Sequence, residues 1–112
     1  MNPSDLYSDI LDALTNARSQ MVSLPWHAAL DAGTSDQRVA SSNILIQIQG
    51  AIITLSSAVL GDIATQMQAN EAGLSQAATN LNNALNDITR VQNVLNAAGT
   101  LISNVAKIIP LL

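Results

Sequence analysis

His27 and Asp31 stand four residues apart, the spacing at which a helix brings two side chains onto one face, so the pair has the makings of an acid/base couple or of two metal ligands. Nothing else converges on it. A catalytic metal normally takes three ligands from the protein, and His27 is the only histidine in a chain without cysteine. Serines are numerous, but a single histidine beside Pro25 and Trp26 carries no triad signature. Glu71 is the only glutamate, which excludes the Glu-x-x-His pairs of di-metal helical bundles. Gly33, Gly50, Gly61, Gly73 and Gly99 are dispersed, so no loop is rich enough in glycine to cradle a phosphate. The expectation is a chain with no catalytic, cofactor-binding or metal site, and therefore no enzyme.

Composition narrows the remaining classes. Charged residues make up 11% of the 112, where a soluble domain averages about 25%, while the apolar share of 48% is ordinary. Such a chain buries a core and builds its surface from Asn, Gln, Ser and Thr. The net charge of -4, with cations only at Arg18, Arg38, Arg90 and Lys107, leaves no basic stripe for a phosphate backbone. Tyr7 and Trp26 are the only aromatics, so base-stacking platforms are missing too, and nucleic acid is not an expected partner. With no cysteine the redox compartment is undecided. Asp5, Asp9 and Asp12 without any Lys or Arg in the first dozen residues are the wrong charge for a signal-peptide n-region. The compartment stays open between the cytoplasm and export by a route that reads another signal. The same three aspartates suit the start of a helix through its dipole, or a basic partner.

The elements that must position these residues are all helical, within one domain over residues 1–112. Asn2-Pro3-Ser4-Asp5 reads as a helix start, and Leu6, Ile10, Ala13, Leu14, Ala17, Met21 and Leu24 follow on one face, giving a helix over about 3–24 that Pro25 ends. Residues 25–36 read as a loop with one helical turn around His27 to Leu30. Trp26 in that loop either seals the core or anchors a partner. Thr34 and Gln37 have capping-box spacing, and a second helix is expected over about 37–70. Its stripe of Leu45, Ile48, Ile52, Leu55, Val59 and Ile63, with Ile46, Ile53, Leu60 and Met67 beside it, predicts a heavily buried helix.

A third helix over about 74–109 shows a seven-residue repeat. Leu74, Leu81, Ile88, Leu95, Ile102 and Ile109 hold one position, and Ala77, Ala84, Val91, Ala98, Val105 and Leu112 lie three residues further on. This is the pattern of a coiled-coil seam, and Leu74, Leu81, Ile88, Val91, Leu95, Ala98, Ile102, Val105 and Ile109 are its candidate interaction residues. Residues 70–73 are the expected turn, with Gly73 in the left-handed conformation. The fold predicted is therefore an all-α three-helix bundle on a long antiparallel hairpin. A single continuous helix is its rival, because the repeat runs back from Leu74 through Met67, Leu60, Ile53, Ile46 and Val39 without a polar residue.

No charge occurs between Val39 and Gly61, and only Lys107 between Val91 and Leu112, and the hairpin lays these two segments side by side. Each is of membrane-spanning length, but Gln47, Gln49, Asn93, Asn96, Ser103 and Asn104 are polar groups that hydrocarbon would leave unsatisfied. The third helix carries a polar, nearly uncharged outer face at Asn80, Asn83, Asn86, Asn93 and Asn96, against which subunits can pack without desolvating ions. In its long seams and its Ala, Asn, Gln, Ser and Thr content the chain resembles the helical rod segments of flagellins and other self-assembling secreted bacterial proteins. The expected function is a non-catalytic interaction or assembly module whose partners are copies of itself or another helical protein. The alternative is a membrane-active hairpin, such as a component of a pore-forming system.

Overall fold

The protein is described by a computed structural model over residues 2–109. Among these residues there are six helices and no strand: α1 Pro3–Met21, α2 Leu24–Asp31, α3 Ser35–Ser57, α4 Leu60–Ala69, α5 Glu71–Ala84 and α6 Val91–Val105. The all-α expectation holds, but each of the three expected helices ends earlier than its periodicity suggests. Leu112, the last position of the second seam track, lies outside the described residues.

The side chains that start and stop the helices explain most of these boundaries. Asn2 Oδ1 accepts from the Asp5 amide at 3.0 Å and opens α1 with Pro3 in the first turn. Pro25 does not close that helix. Ser23 Oγ accepts from the Trp26 amide at 3.3 Å, which makes Ser23 an N-cap and puts Pro25 in the first turn of α2, where its missing N–H costs nothing. The expected loop is therefore mostly helix. Thr34 and Gln37 form the expected capping box, with both reciprocal bonds at 3.1 Å. Arg38 Nη1 donates to the carbonyls of Leu30 and Gly33 at 3.1 and 3.2 Å, closing the C-terminus of α2 with a cation.

The long second helix is broken at Ala58 and Val59, whose backbones are extended, and Ser57 Oγ bonds back to the Ile53 carbonyl at 2.9 Å in the last turn of α3. At 70–73 the correction runs the other way. Asn70 alone separates α4 from α5, Gly73 lies inside α5, and no described residue has a left-handed backbone. A Cβ at Gly73 would stand 2.8 Å from Asn104 Oδ1 of α6, the end of a partly exposed side chain that would have to shift to admit it. The seam itself is interrupted at residues 85–90. The Asp87 carboxylate accepts from the Thr89 amide at 3.2 Å and from the Thr89 hydroxyl, an Asx turn that takes the backbone out of the helix.

Four of the helices form the body of the molecule, with extents of 43 × 25 × 18 Å. Around the bundle the order is α1, α3, α6, α5 and back to α1. Tyr7 near the start of α1 donates to the Leu55 carbonyl near the end of α3 at 2.8 Å, so these two run antiparallel. Gln37 bonds to Gln92 and Gly99 approaches Ile44, so α3 and α6 run parallel. The hairpin expectation put these charge-free segments side by side but antiparallel; the extra reversal at 85–90 turns α6 round. α4 packs against α1 and α5 on the diagonal path from α3 to α5.

The core runs through all six helices. Leu6, Ile10, Ala13, Leu14, Ala17 and Met21 are buried as their spacing predicts, whereas Leu24 is 83% exposed because α1 has ended before it. Trp26 is fully buried and its Nε1 donates to Ser41 Oγ at 3.0 Å, so the indole seals the core where α2 meets α3 and is no exposed partner anchor.

Candidate functional site

The one spacing in the sequence suited to acid/base or metal chemistry does not form a centre. His27 and Asp31 are both exposed on α2, with no hydrogen bond or ion pair between them. Among the described residues no group of three or more His, Cys, Asp or Glu is placed to hold a metal ion. The Asp87 carboxyl is held below its ordinary pKa of 3.8, first by the Thr89 hydroxyl and then by the Thr89 amide and Arg90. Arg90 Nε lies 3.4 Å from Asp87 Oδ2, and both side chains are exposed. These contacts fix a turn and point at no ligand.

The seam residues are placed together, but inside the molecule. Leu74, Leu81, Val91, Leu95, Ala98, Ile102, Val105 and Ile109 are buried, and Ile88 is half-buried against the same core. α5 and α6 are antiparallel neighbours, and with α1 and α3 they use the repeat to fill their own interior. The seven-residue repeat therefore holds the bundle, and leaves little of itself for a second molecule.

What the repeat does leave outside is its N-terminal run. Val39, Ile46 and Ile53 stand seven residues apart on α3 and are 61%, 68% and 67% exposed, with Val59 just beyond at 65%. α3 was expected to be the heavily buried helix. It buries only Ser41, Ile48, Ala51 and Leu55, because its apolar residues cover nearly the whole circumference while the bundle covers one side. The surplus forms a ridge pointing away from the core. Between α3 and α6, on the flank of that ridge, runs a mostly apolar cleft of about 470 Å³ lined by Ile44, Gln47, Gly50, Ala51, Gly99, Ile102, Ser103 and Ala106.

The glycines in this cleft are not explained by the fold. A Cβ at Gly50 would meet nothing within 4 Å, and one at Gly99 only Ile44 Cδ1 at 4.0 Å. Each sits inside a helix, where glycine costs roughly 0.5–1 kcal/mol relative to alanine. Electrostatically the face is blank, since no charged residue occurs over Val39–Gly61 or Val91–Ala106. Ser35–Ser57 is also the one described helix long and apolar enough to cross a membrane, with a mean hydropathy of 1.3 in its best window, of which 22% is buried. Exposed Ser42, Asn43 and Gln49 lie between the side chains of Val39, Ile46 and Ile53, so the row is a line of separate apolar residues set in an uncharged polar face.

The sequence held the signal for this ridge in the backward extension of the repeat through Ile53, Ile46 and Val39. It could not show which stretch of the repeat the bundle would leave uncovered. No family model, curated protein or solved structure matches the chain.

Proposed function

We propose that the protein is a non-catalytic helical module that assembles, with copies of itself or with a helical partner, through the outer face of α3. The observation that carries this reading is the exposed ridge of Val39, Ile46 and Ile53 on a helix with no charge from Val39 to Gly61. Burying apolar area gains roughly 25 cal/mol per Å², and a face without ions adds no cost for desolvating charge. The buried seam serves the module by making the bundle that presents this face.

The test is the absolute mass in solution across a dilution series for the parent, Ile46→Asp and Ile53→Asp. Both positions are exposed, so both variants keep the fold. The parent is expected to show a concentration-dependent mass above 11.7 kDa, and the variants to remain at that value. Identical masses for all three proteins would remove the α3 face from the account.

A second reading is favoured by the length and hydropathy of α3, namely a membrane-active protein whose α3 enters the bilayer. Dye release from liposomes across pH and lipid composition would support it, and complete inertness would retire it.

A further inference from the structure

We infer that a second copy of this chain binds by exchange of α6: residues 85–90 straighten, α5 and α6 become one helix, and α6 of each copy fills in the other the place it fills in its own bundle. The surface engaged is a buried one, so this goes beyond the α3 face and does not depend on it. A helix exchanged between identical chains needs no new complementary surface, because the socket that receives it is already shaped to the same sequence. Here the socket is walled by α3 and α5 with α2 against it, and α6 fills it with Val94, Leu95, Leu101, Ile102 and Val105. That fit selects this chain as the partner.

The connection at 85–90 can straighten without strain. It holds no glycine or proline, and no described residue has a left-handed backbone, so nothing in its covalent structure forces the chain to reverse. Leu85 is still helical, and the amides of Asn86 and Asp87 donate to the carbonyls of Asn83 and Ala84 at 3.2 Å, a tightened continuation of α5. The start of α6 has no side-chain cap, whereas Asn2, Ser23 and Thr34 cap α1, α2 and α3. The polar side-chain contacts that hold the reversal come from the exposed Asp87, to Thr89 and Arg90.

The repeat passes through this connection and is centred on it. Leu74, Leu81, Ile88, Leu95 and Ile102 stand every seventh residue. Gly73 approaches Asn104, and Ala84 shares a groove with Asn93, so Leu74 is about level with Ile102, Leu81 with Leu95, and Ile88 with no residue but itself. Two straightened helices, each roughly 50 Å long at about 1.5 Å per residue, keep this register when they pair antiparallel across a two-fold axis at Ile88. Ile88 is half-buried in the single bundle, and the axis gives it its own copy to pack against. Gln37 bonds to Gln92 and α1 runs antiparallel to α3, so the junction of α1 and α2 lies at the same end as 85–90. That junction leaves Val22 53% and Leu24 83% exposed, apolar surface that the exchanged pair places near the axis.

The test uses Gly73→Cys together with Asn104→Cys, a pair far from the connection in a chain with no other cysteine, where a Cβ at Gly73 stands 3.7 Å from Asn104 Cγ. In a single bundle their disulfide closes within one chain, and in the exchanged pair the same bond joins two chains. The double variant is refolded from urea at high and at low concentration, with and without Asp87→Ala, separated by size and then oxidised. Asp87 is exposed, so its alanine keeps the fold while removing the turn contacts and favouring helix. The expected result is a dimer that forms at high concentration and survives dilution, roughly a tenfold larger dimer share with Asp87→Ala, and dimer chains that stay covalently paired without reductant. Dimer fractions whose oxidised chains run as monomers overturn the exchange and keep self-assembly. No lasting dimer, with or without Asp87→Ala, also overturns the exchange and leaves the α3 face to its own dilution series. A lasting dimer that disappears on adding Ile46→Asp would belong to the α3 face and overturn the exchange.

Discussion

The buried pair of Trp26 and Ser41 shows how a polar contact is retained inside an apolar core. Ser41 is the one buried polar residue among those described, and its hydroxyl accepts the indole N–H. Ser41→Ala leaves that N–H buried without an acceptor and should cost about 1–3 kcal/mol, read as a lower midpoint in urea. Adding Trp26→Phe on the alanine background should cost less than the same change in the parent, because no donor then remains unsatisfied. Asp87 gives the matching prediction at the surface. Its folded pKa lies below 3.8, so whatever it contributes is present at pH above that value and is lost as pH falls through the folded pKa. An NMR titration should place its midpoint below 3.8 in the parent and nearer to it in Thr89→Val, which deletes the leading cause. The spacing of Leu6 to Met21 in the sequence was enough to identify the inner face of α1. For Trp26 the sequence left core and anchor side by side, because only the position of Ser41 in space decides between them.

At the level of the elements, side-chain caps were legible and helix breaks without glycine or proline were not. Asn2 and the Thr34/Gln37 box announce α1 and α3 by local hydrogen bonds that depend on sequence neighbours alone. The break at Ala58 and Val59 has no such announcement, since Ser-Ala-Val-Leu continues the apolar repeat and the α4 N-cap has no side-chain bond. Packing of α4 against α1 and α5 sets it. Val59 has φ of -82° and follows an extended Ala58, a backbone proline accepts. Val59→Pro should therefore leave the stability read from a urea titration unchanged or raise it by about 0.4–1 kcal/mol, whereas Ile53→Pro inside α3 should cost about 3 kcal/mol or more. A continuous helix through residue 59 would make the two variants equally damaging. The Asx turn at Asp87 was within reach of the sequence, since Asn-Asp before Thr is a turn signal, but six heptads of unbroken periodicity outweighed it.

For the whole molecule, one repeat has two uses. From Met67 to Ile109 its positions close the bundle, and from Val39 to Ile53 they stand outside it. A substitution should therefore act differently along the same track. Leu95→Asp puts a carboxylate into the core and is expected to unfold the protein, while Ile46→Asp should leave its circular dichroism and melting unchanged and alter only association. The charge-free character of this face was legible in the sequence, as was the adjacency of the stretches that form α3 and α6. The parallel direction of α3 and α6 was not, because it follows from counting chain reversals, and one reversal was hidden in the seam.

The claim that α3 is the assembly surface is tested most directly by following the isoleucine δ1-methyl NMR signals as the protein is concentrated. The signals of Ile46 and Ile53 are expected to shift or broaden with concentration, while those of the buried Ile10 and Ile63 on the far elements stay fixed. Concentration-dependent changes confined to α1, α4 or α5, or a spectrum indifferent to concentration, would contradict the account.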